Sequence, residues 1–160
     1  MKRQKIFKLF SLIFSFPTEE TINEMKRLAE EIPEYAHVVE KLTRTNLEEL
    51  QTEYTRLFVS SYPTLECPPY ESFYREGLVY GEASVEVREI YESRGLEYTH
   101  LSEPPDHVSV ELEFLALTDD QEFFERMKEW IFEFTERVKK HSKIYDLAAK
   151  ELEKLFEEQP

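Results

Sequence analysis

Apolar residues recur along most of this chain at the three- and four-residue spacing of amphipathic helices. Behind Pro105, for example, Val108, Leu112 and Leu115 fall on one helical face. β-branched residues seldom alternate with polar ones, and only 3 glycines occur in 160 residues, so strands are disfavoured. Hydrophobic residues make up 41% of the chain, which is enough for one core. The sequence therefore predicts an all-α, single-domain bundle of about eight helices over residues 1–160.

Helix start and stop signals divide this pattern. Thr18, Asn46 and Ser142 are predicted N-caps, and Gly95 is placed for a left-handed C-cap. The predicted helices are residues 1–16, 18–32, 34–44, 46–58 and 81–94, one that starts at Pro104 and Pro105, one from Asp119 or Asp120 to Val138, and one from Ser142.

Residues 60–80 are predicted to form a long loop, because Pro63 and the Pro68-Pro69 pair interrupt the helical periodicity. Aromatic side chains outside regular structure can line a binding surface, or the loop can pack over the core by its own rings. The sequence leaves both interpretations open. The aromatic residues of this loop are Tyr62, Tyr70, Phe73, Tyr74 and Tyr80.

Glutamate dominates the charge of the chain, which is −14 at pH 7. This charge argues against a nucleic acid partner, since phosphate binding needs a basic face. It permits a basic partner, which an acidic surface attracts. The alternative is that the abundant charged residues simply form a soluble, heat-tolerant surface.

The first sixteen residues carry Lys2, Arg3, Lys5 and Lys8 but no acidic residue, and they imitate a secretion signal. Basic residues interrupt the apolar run and no small-residue cleavage site follows, so we predict a core helix instead. Its positive charge could dock on the acidic remainder of the chain or on a membrane surface. No membrane-spanning segment and no stable membrane insertion are expected.

Cys67 is the only cysteine, so no internal disulfide can form and a reducing compartment is expected. His100, Glu103, Asp106 and His107 place metal-ligand and general-base chemistry within a short stretch, which keeps a metal-dependent enzyme open as an alternative. Prolines interrupt any face that these four residues could share, and no nucleophile motif accompanies them. The sequence therefore does not favour an enzyme.

The stretch Glu103-Pro104-Pro105-Asp106-His107 is predicted to start a helix, because proline is well suited to a first helical turn. Glu103, Asp106 and His107 are then held together at the positive end of a helix dipole. Asp106 could cap the helix or contact a ligand. His107 could be a packed, hydrogen-bonded imidazole or could contact a ligand.

Three stretches together resemble one protein family, and the resemblance extends from about residue 50 to 117. They are Tyr54-Thr55-Arg56-Leu57-Phe58, Pro68-Pro69-Tyr70-Glu71-Ser72-Phe73-Tyr74 and Glu103-Pro104-Pro105-Asp106-His107. The order and spacing of these motifs are similar to those of the TorD/DmsD/NarJ family of redox-enzyme maturation chaperones, which includes nitrate reductase delta subunit-like proteins. Trp130 and Phe134 also fit the pattern, whereas Arg126 stands where the family often has a histidine.

The resemblance implies an all-helical cytoplasmic chaperone rather than an enzyme, with no cofactor or metal of its own. It would bind the twin-arginine leader, or another terminal segment, of a molybdenum-containing oxidoreductase catalytic subunit until cofactor insertion, assembly and export. Homodimers, including domain-swapped ones, occur in the family. The chain lacks a phosphate-binding glycine loop, so nucleotide binding is not predicted. A permanent assembly subunit remains an alternative.

A twin-arginine leader presents two guanidinium groups followed by apolar residues, so its receptor needs carboxylates beside a hydrophobic groove. Glu103 and Asp106 are the predicted arginine ligands. The helical spacing of Tyr54, Leu57 and Phe58 favours the core over the groove, but both are kept. The predicted peptide-binding residues are Tyr54, Leu57, Phe58, Pro69, Tyr70, Ser72, Tyr74, Glu103, Pro105, Asp106 and His107.

Overall fold

The computed structural model describes residues 2–61, 64–98 and 103–157. These residues form ten α-helices and a 3₁₀ turn at Pro33–Tyr35, without a β-strand, so the predicted all-α fold is confirmed. The helices are α1 Lys2–Ile13, α2 Glu19–Glu31, α3 Ala36–Thr43, α4 Leu47–Phe58, α5 Glu71–Glu76, α6 Glu82–Ser93, α7 Val108–Thr118, α8 Gln121–Lys128, α9 Ile131–His141 and α10 Asp146–Glu157.

The helix count exceeds the predicted eight for two reasons. The short helix α5 lies inside the predicted loop of residues 60–80 and ends at Gly77, whose φ of 78° is in the left-handed region. The helix predicted to reach Val138 is divided in two at Trp130, where no glycine or proline marks the break. There the Trp130 N–H donates to the carbonyl of Met127 at 3.1 Å, a tightened turn that ends α8.

Three of the predicted caps are confirmed. The Thr18 hydroxyl accepts a hydrogen bond from the Thr21 N–H at 3.1 Å, and the Asn46 side chain accepts one from the Glu49 N–H at 2.9 Å. Gly95 has a φ of 83° just after α6. These caps fix the ends of α2, α4 and α6 where the sequence predicts them.

Two predicted helix starts are displaced. Pro104 and Pro105 precede α7 rather than begin it, because they form a turn in which the His107 N–H donates to the Pro104 carbonyl at 3.1 Å. Ser142 likewise stands before α10. Its hydroxyl accepts hydrogen bonds from the backbone N–H groups of Ile144 and Tyr145, and the helix begins after that turn.

Helix α1 packs most extensively against α7 and also contacts α2 and α10. Phe7, Leu9 and Phe10 are fully buried, as predicted for a core helix. None of the described helices is both long and apolar enough to cross a bilayer. The four cations of α1 dock on acidic residues elsewhere in the chain: Lys2 on Glu34, Arg3 on Asp119, Lys5 on Glu31 and Lys8 on Glu113.

Candidate functional site

The proline-rich stretch before α5 and the motif of residues 103–107 lie side by side, although they are far apart in sequence. Tyr70 and His107 form an isolated antiparallel β-bridge, and the Val108 N–H donates to the carbonyl of Pro69 at 2.8 Å. The rings of Tyr70 and His107 meet edge to face with centroids 5.3 Å apart. These backbone contacts join residues 69–70 to residues 107–108, and so connect two of the three motif stretches. We refer to this connected pair of segments as the frame.

Asp106 is buried and connects this frame to α5. Its Oδ2 accepts a hydrogen bond from the Ser72 N–H at 2.8 Å, and its carbonyl accepts one from the Glu71 N–H at 3.1 Å. Asp106 therefore caps the first turn of α5 rather than its own helix α7. Ser72 is buried as well, so neither side chain is accessible to a peptide at the surface.

His107 is the buried N-cap of α7. Its Nδ1 accepts a hydrogen bond from the Ser109 N–H at 3.1 Å and lies 2.8 Å from the Ser109 hydroxyl. Burial lowers the pKa of His107 to about 3, so the ring is neutral at physiological pH. Because Nδ1 is the acceptor, the proton lies on Nε2, which is 3.8 Å from a carboxylate oxygen of Glu103.

Glu103 is the accessible carboxylate of the motif, with 36% of its side chain exposed. Partial burial raises its pKa. In the part of the chain that the structure describes, no lysine or arginine lies within ion-pair distance of it, and its neighbour His107 is neutral. Glu103 lines an open cavity of about 270 Å³, together with Tyr80, Ser84, Val85, Arg88, Tyr98, Pro104 and Pro105.

Tyr91 of α6 holds the proline turn of this cavity in place, and the remaining predicted site residues differ in how far they are exposed. The Tyr91 hydroxyl of α6 donates to the carbonyl of Pro105 at 2.7 Å, which fixes the proline turn against that helix. Pro69 and Pro105 are buried, whereas Tyr70 and Tyr74 are partly exposed. Tyr74 stacks on Trp130 with ring centroids 5.6 Å apart, away from the cavity lining.

Tyr54, Leu57 and Phe58 do not line a surface groove. All three are at most 2% exposed, because their face of α4 points into the core. The Tyr54 hydroxyl donates to the carbonyl of Phe14 at 2.8 Å, and its ring packs against Phe58. The structure thus places the first motif stretch behind the site rather than in it.

A buried charge cluster beneath the frame was not predicted. Glu71 is fully buried and pairs with Arg126 at 2.9 Å and with Arg75. Arg126 also reaches Glu86 at 3.0 Å, and Arg75 reaches Glu129 at 2.8 Å. The arginine that stands where the family often has a histidine therefore connects α5, α6 and α8.

Glu111 completes this cluster from α7. It is fully buried, and its Oε1 accepts a hydrogen bond from the Trp130 indole at 3.3 Å. Burial, together with the charge of Glu71 and a hydrogen bond to it, raises the pKa of Glu111 well above the ordinary value and so favours its neutral form. A sequence signal existed: Glu111 lies on the same helical stripe as Val108 and Leu115.

The structure describes three of the four predicted metal-ligand candidates, namely Glu103, Asp106 and His107. His100 lies outside the described residues. Among the residues that are described, no three His, Cys, Asp or Glu side chains come together as a metal site. Oδ2 of Asp106 and Nδ1 of His107 accept hydrogen bonds from the backbone N–H groups of Ser72 and Ser109 respectively, and these two bonds stabilise the fold.

Comparison with known proteins agrees with the motif resemblance. Residues 19–149 match the family model of the nitrate reductase delta subunit. A search of curated proteins finds no match. Among solved structures, the chain is similar to the crystal structure of a protein from Archaeoglobus fulgidus that is described as a proposed redox enzyme maturation protein. The TM-score is 0.90 and the sequence identity 43%, over 97% of this chain and 94% of that one. This chain therefore belongs to the nitrate reductase delta subunit family.

Proposed function

We propose that this chain is a maturation chaperone that binds a basic terminal segment, such as a twin-arginine leader, of a molybdenum-containing oxidoreductase catalytic subunit. The observation that carries the proposal is Glu103, a half-buried carboxylate at a cavity with no cationic partner among the described residues. Family membership and the description of the Archaeoglobus fulgidus relative support the same class of function.

The chemistry of Glu103 suits a guanidinium group. A carboxylate that is partly desolvated and lacks a cation gains more from an arginine than an exposed one does, because water screens the interaction less. The net charge of −14 also attracts a basic segment over a longer range at low salt. Glu103 is therefore the proposed contact for one arginine of the leader.

The other predicted site residues act mainly through the frame. Asp106, His107 and Ser72 hold the turn that carries Glu103, and the partly exposed Tyr70 is bridged to His107. Bound in this way, the leader stays with the chaperone while the catalytic subunit receives its cofactor. The proposed step precedes export and takes place in the cytoplasm.

Co-purification from the native host tests this function. We expect a molybdenum oxidoreductase subunit to be recovered with the tagged wild-type chain and with Glu30→Gln, a control on exposed surface of α2. Glu103→Gln should recover much less of it. Client that dissociates after cofactor insertion supports a chaperone, whereas client that stays bound in the mature enzyme indicates a permanent assembly subunit. Recovery of no oxidoreductase subunit would contradict the proposed function.

A further inference from the structure

Large apolar side chains are exposed beside the cavity of Glu103. Leu78, Val79, Tyr80 and Val85 are 52%, 38%, 72% and 58% exposed, and we refer to these four residues as the 78–85 patch. They lie within eight consecutive residues: Leu78, Val79 and Tyr80 in the turn between α5 and α6, and Val85 in the first turn of α6. Such clustering is unusual on a soluble surface and is typical of a contact site.

The fold presents this patch in a fixed way. Tyr80 has a φ of 64°, a left-handed conformation that is unfavourable for a residue with a large side chain. The Glu76 carboxylate accepts a hydrogen bond from the Ala83 N–H at 2.9 Å, which ties the turn to the start of α6. A side chain at Gly81 would displace the Glu76 carboxylate, so glycine at this position leaves room for that hydrogen bond.

The patch and Glu103 share one surface. Tyr80 and Val85 line the same cavity as Glu103, so apolar groups border a carboxylate that has no lysine or arginine partner among the described residues. Arg88 also lines the cavity, but its ion-pair partner is Glu92 at 3.5 Å. Among the residues that the structure describes, the charge without an oppositely charged partner at this cavity is therefore negative.

We propose that the 78–85 patch binds the apolar residues of the client's leader segment, while a neighbouring basic residue enters the cavity and pairs with Glu103. This inference rests on the proposed function and adds the residues that would contact the apolar part of the leader segment. The charge of the site selects this occupant. A second copy of the chain, at −14, and an anionic membrane surface would both bring negative charge to Glu103.

Two exposed valines provide a matched pair of variants for a test. Val85 lies in the patch and is 58% exposed, whereas Val59 lies at the end of α4, outside it, and is 57% exposed. The probe is a synthetic leader peptide with two adjacent arginines followed by an apolar run, and its dissociation constant is measured by fluorescence anisotropy on the full chain. We expect Val85→Ser to weaken binding about fivefold and Val59→Ser to leave it unchanged.

A second peptide, with serine in place of its apolar run, closes a double-mutant cycle. It should bind the wild-type chain more weakly, and Val85→Ser should then have no further effect. Equal effects of Val85→Ser on both peptides, or equal effects of Val85→Ser and Val59→Ser, would overturn the inference. So would a self-association of the wild-type chain that Val85→Ser abolishes, because the patch would then be a dimer interface.

The two experiments distinguish a failure of this inference from a failure of the proposed function. If Glu103→Gln reduces recovery of the client but Val85→Ser does not weaken peptide binding, the chaperone function stands and the patch is not its apolar contact. If the leader peptide does not bind at all, the inference is overturned, and recovery of the client then decides the proposed function.

Discussion

The Asp106 carboxylate accepts a hydrogen bond from the Ser72 N–H at 2.8 Å, across 34 residues of sequence. This contact and the neighbouring Tyr70–His107 bridge hold the motif of residues 68–74 against the motif of residues 103–107. The side chains of Asp106 and Ser72 are both buried, so these two motif positions stabilise the fold around the cavity, and the proposed contact with a client involves Glu103 instead.

Asp106→Ala should lower the free energy of unfolding by about 2 kcal/mol, because it leaves the buried Ser72 N–H without an acceptor. Asn46→Ala is the matched control. Asn46 accepts a similar bond from Glu49, but at an exposed helix start where water replaces it, so we expect a loss of about 1 kcal/mol. Urea unfolding measures both values. A loss for Asp106→Ala no larger than the loss for Asn46→Ala would contradict the buried capping role.

Glu111→Gln should become more stable relative to the wild-type chain as the pH rises. The pKa of Glu111 is raised in the folded state, so its stabilising contribution is complete below about pH 4.5 and is lost as the pH rises through the folded-state pKa. Glutamine stays neutral and can still donate to Glu71 and accept from Trp130. We therefore expect the stability difference to grow by up to about 1.4 kcal/mol per pH unit above pH 4.5.

Glu113→Gln is the control for this pH dependence. Glu113 lies on the same helix, but it is partly exposed and pairs with Lys8 at 2.9 Å. Thermal unfolding of the three proteins between about pH 5 and pH 8 gives the comparison. If the stability difference grows equally for Glu113→Gln and Glu111→Gln, the buried position of Glu111 is not the cause.

The fold class and most helix bounds follow from the sequence because they depend on local signals. The caps at Thr18 and Asn46 are examples. The break at Trp130 is different, because it coincides with a long-range hydrogen bond from the indole to Glu111 that no local pattern indicates. Tertiary contacts of this kind override helical periodicity.

The candidate site was predictable in part. The motif around Glu103 indicates polar chemistry, but sequence does not distinguish the partly exposed Glu103 from the buried Asp106, because both precede the same helix. The 78–85 patch carries no motif at all. It includes a left-handed backbone conformation at Tyr80, which is not a position where sequence rules expect a tyrosine.

His107 should remain neutral well below neutral pH. Its pKa is lowered to about 3 by burial, so its contribution to stability is complete above the unfolded value of 6.5 and is lost as the pH falls toward 3. We expect the nitrogen chemical shifts of the His107 ring to show an unprotonated Nδ1 and a protonated Nε2, with no change between about pH 7 and pH 5. A titration midpoint above about pH 5 would contradict the buried, neutral ring.

Tyr54→Phe should lower the stability of the fold without changing the affinity for the leader peptide. The change removes the buried hydrogen bond to the Phe14 carbonyl, so we expect the free energy of unfolding to fall by about 1 kcal/mol. The dissociation constant of the leader peptide should stay the same, because Tyr54 is 1% exposed. Glu103→Gln should show the opposite behaviour: weaker binding with no loss of stability, since it removes a partly desolvated charge that pairs with no lysine or arginine in the described part of the chain. If Tyr54→Phe weakens peptide binding more than Glu103→Gln does, α4 forms part of the peptide site. Tyr54 would then have to leave its buried position when the peptide binds.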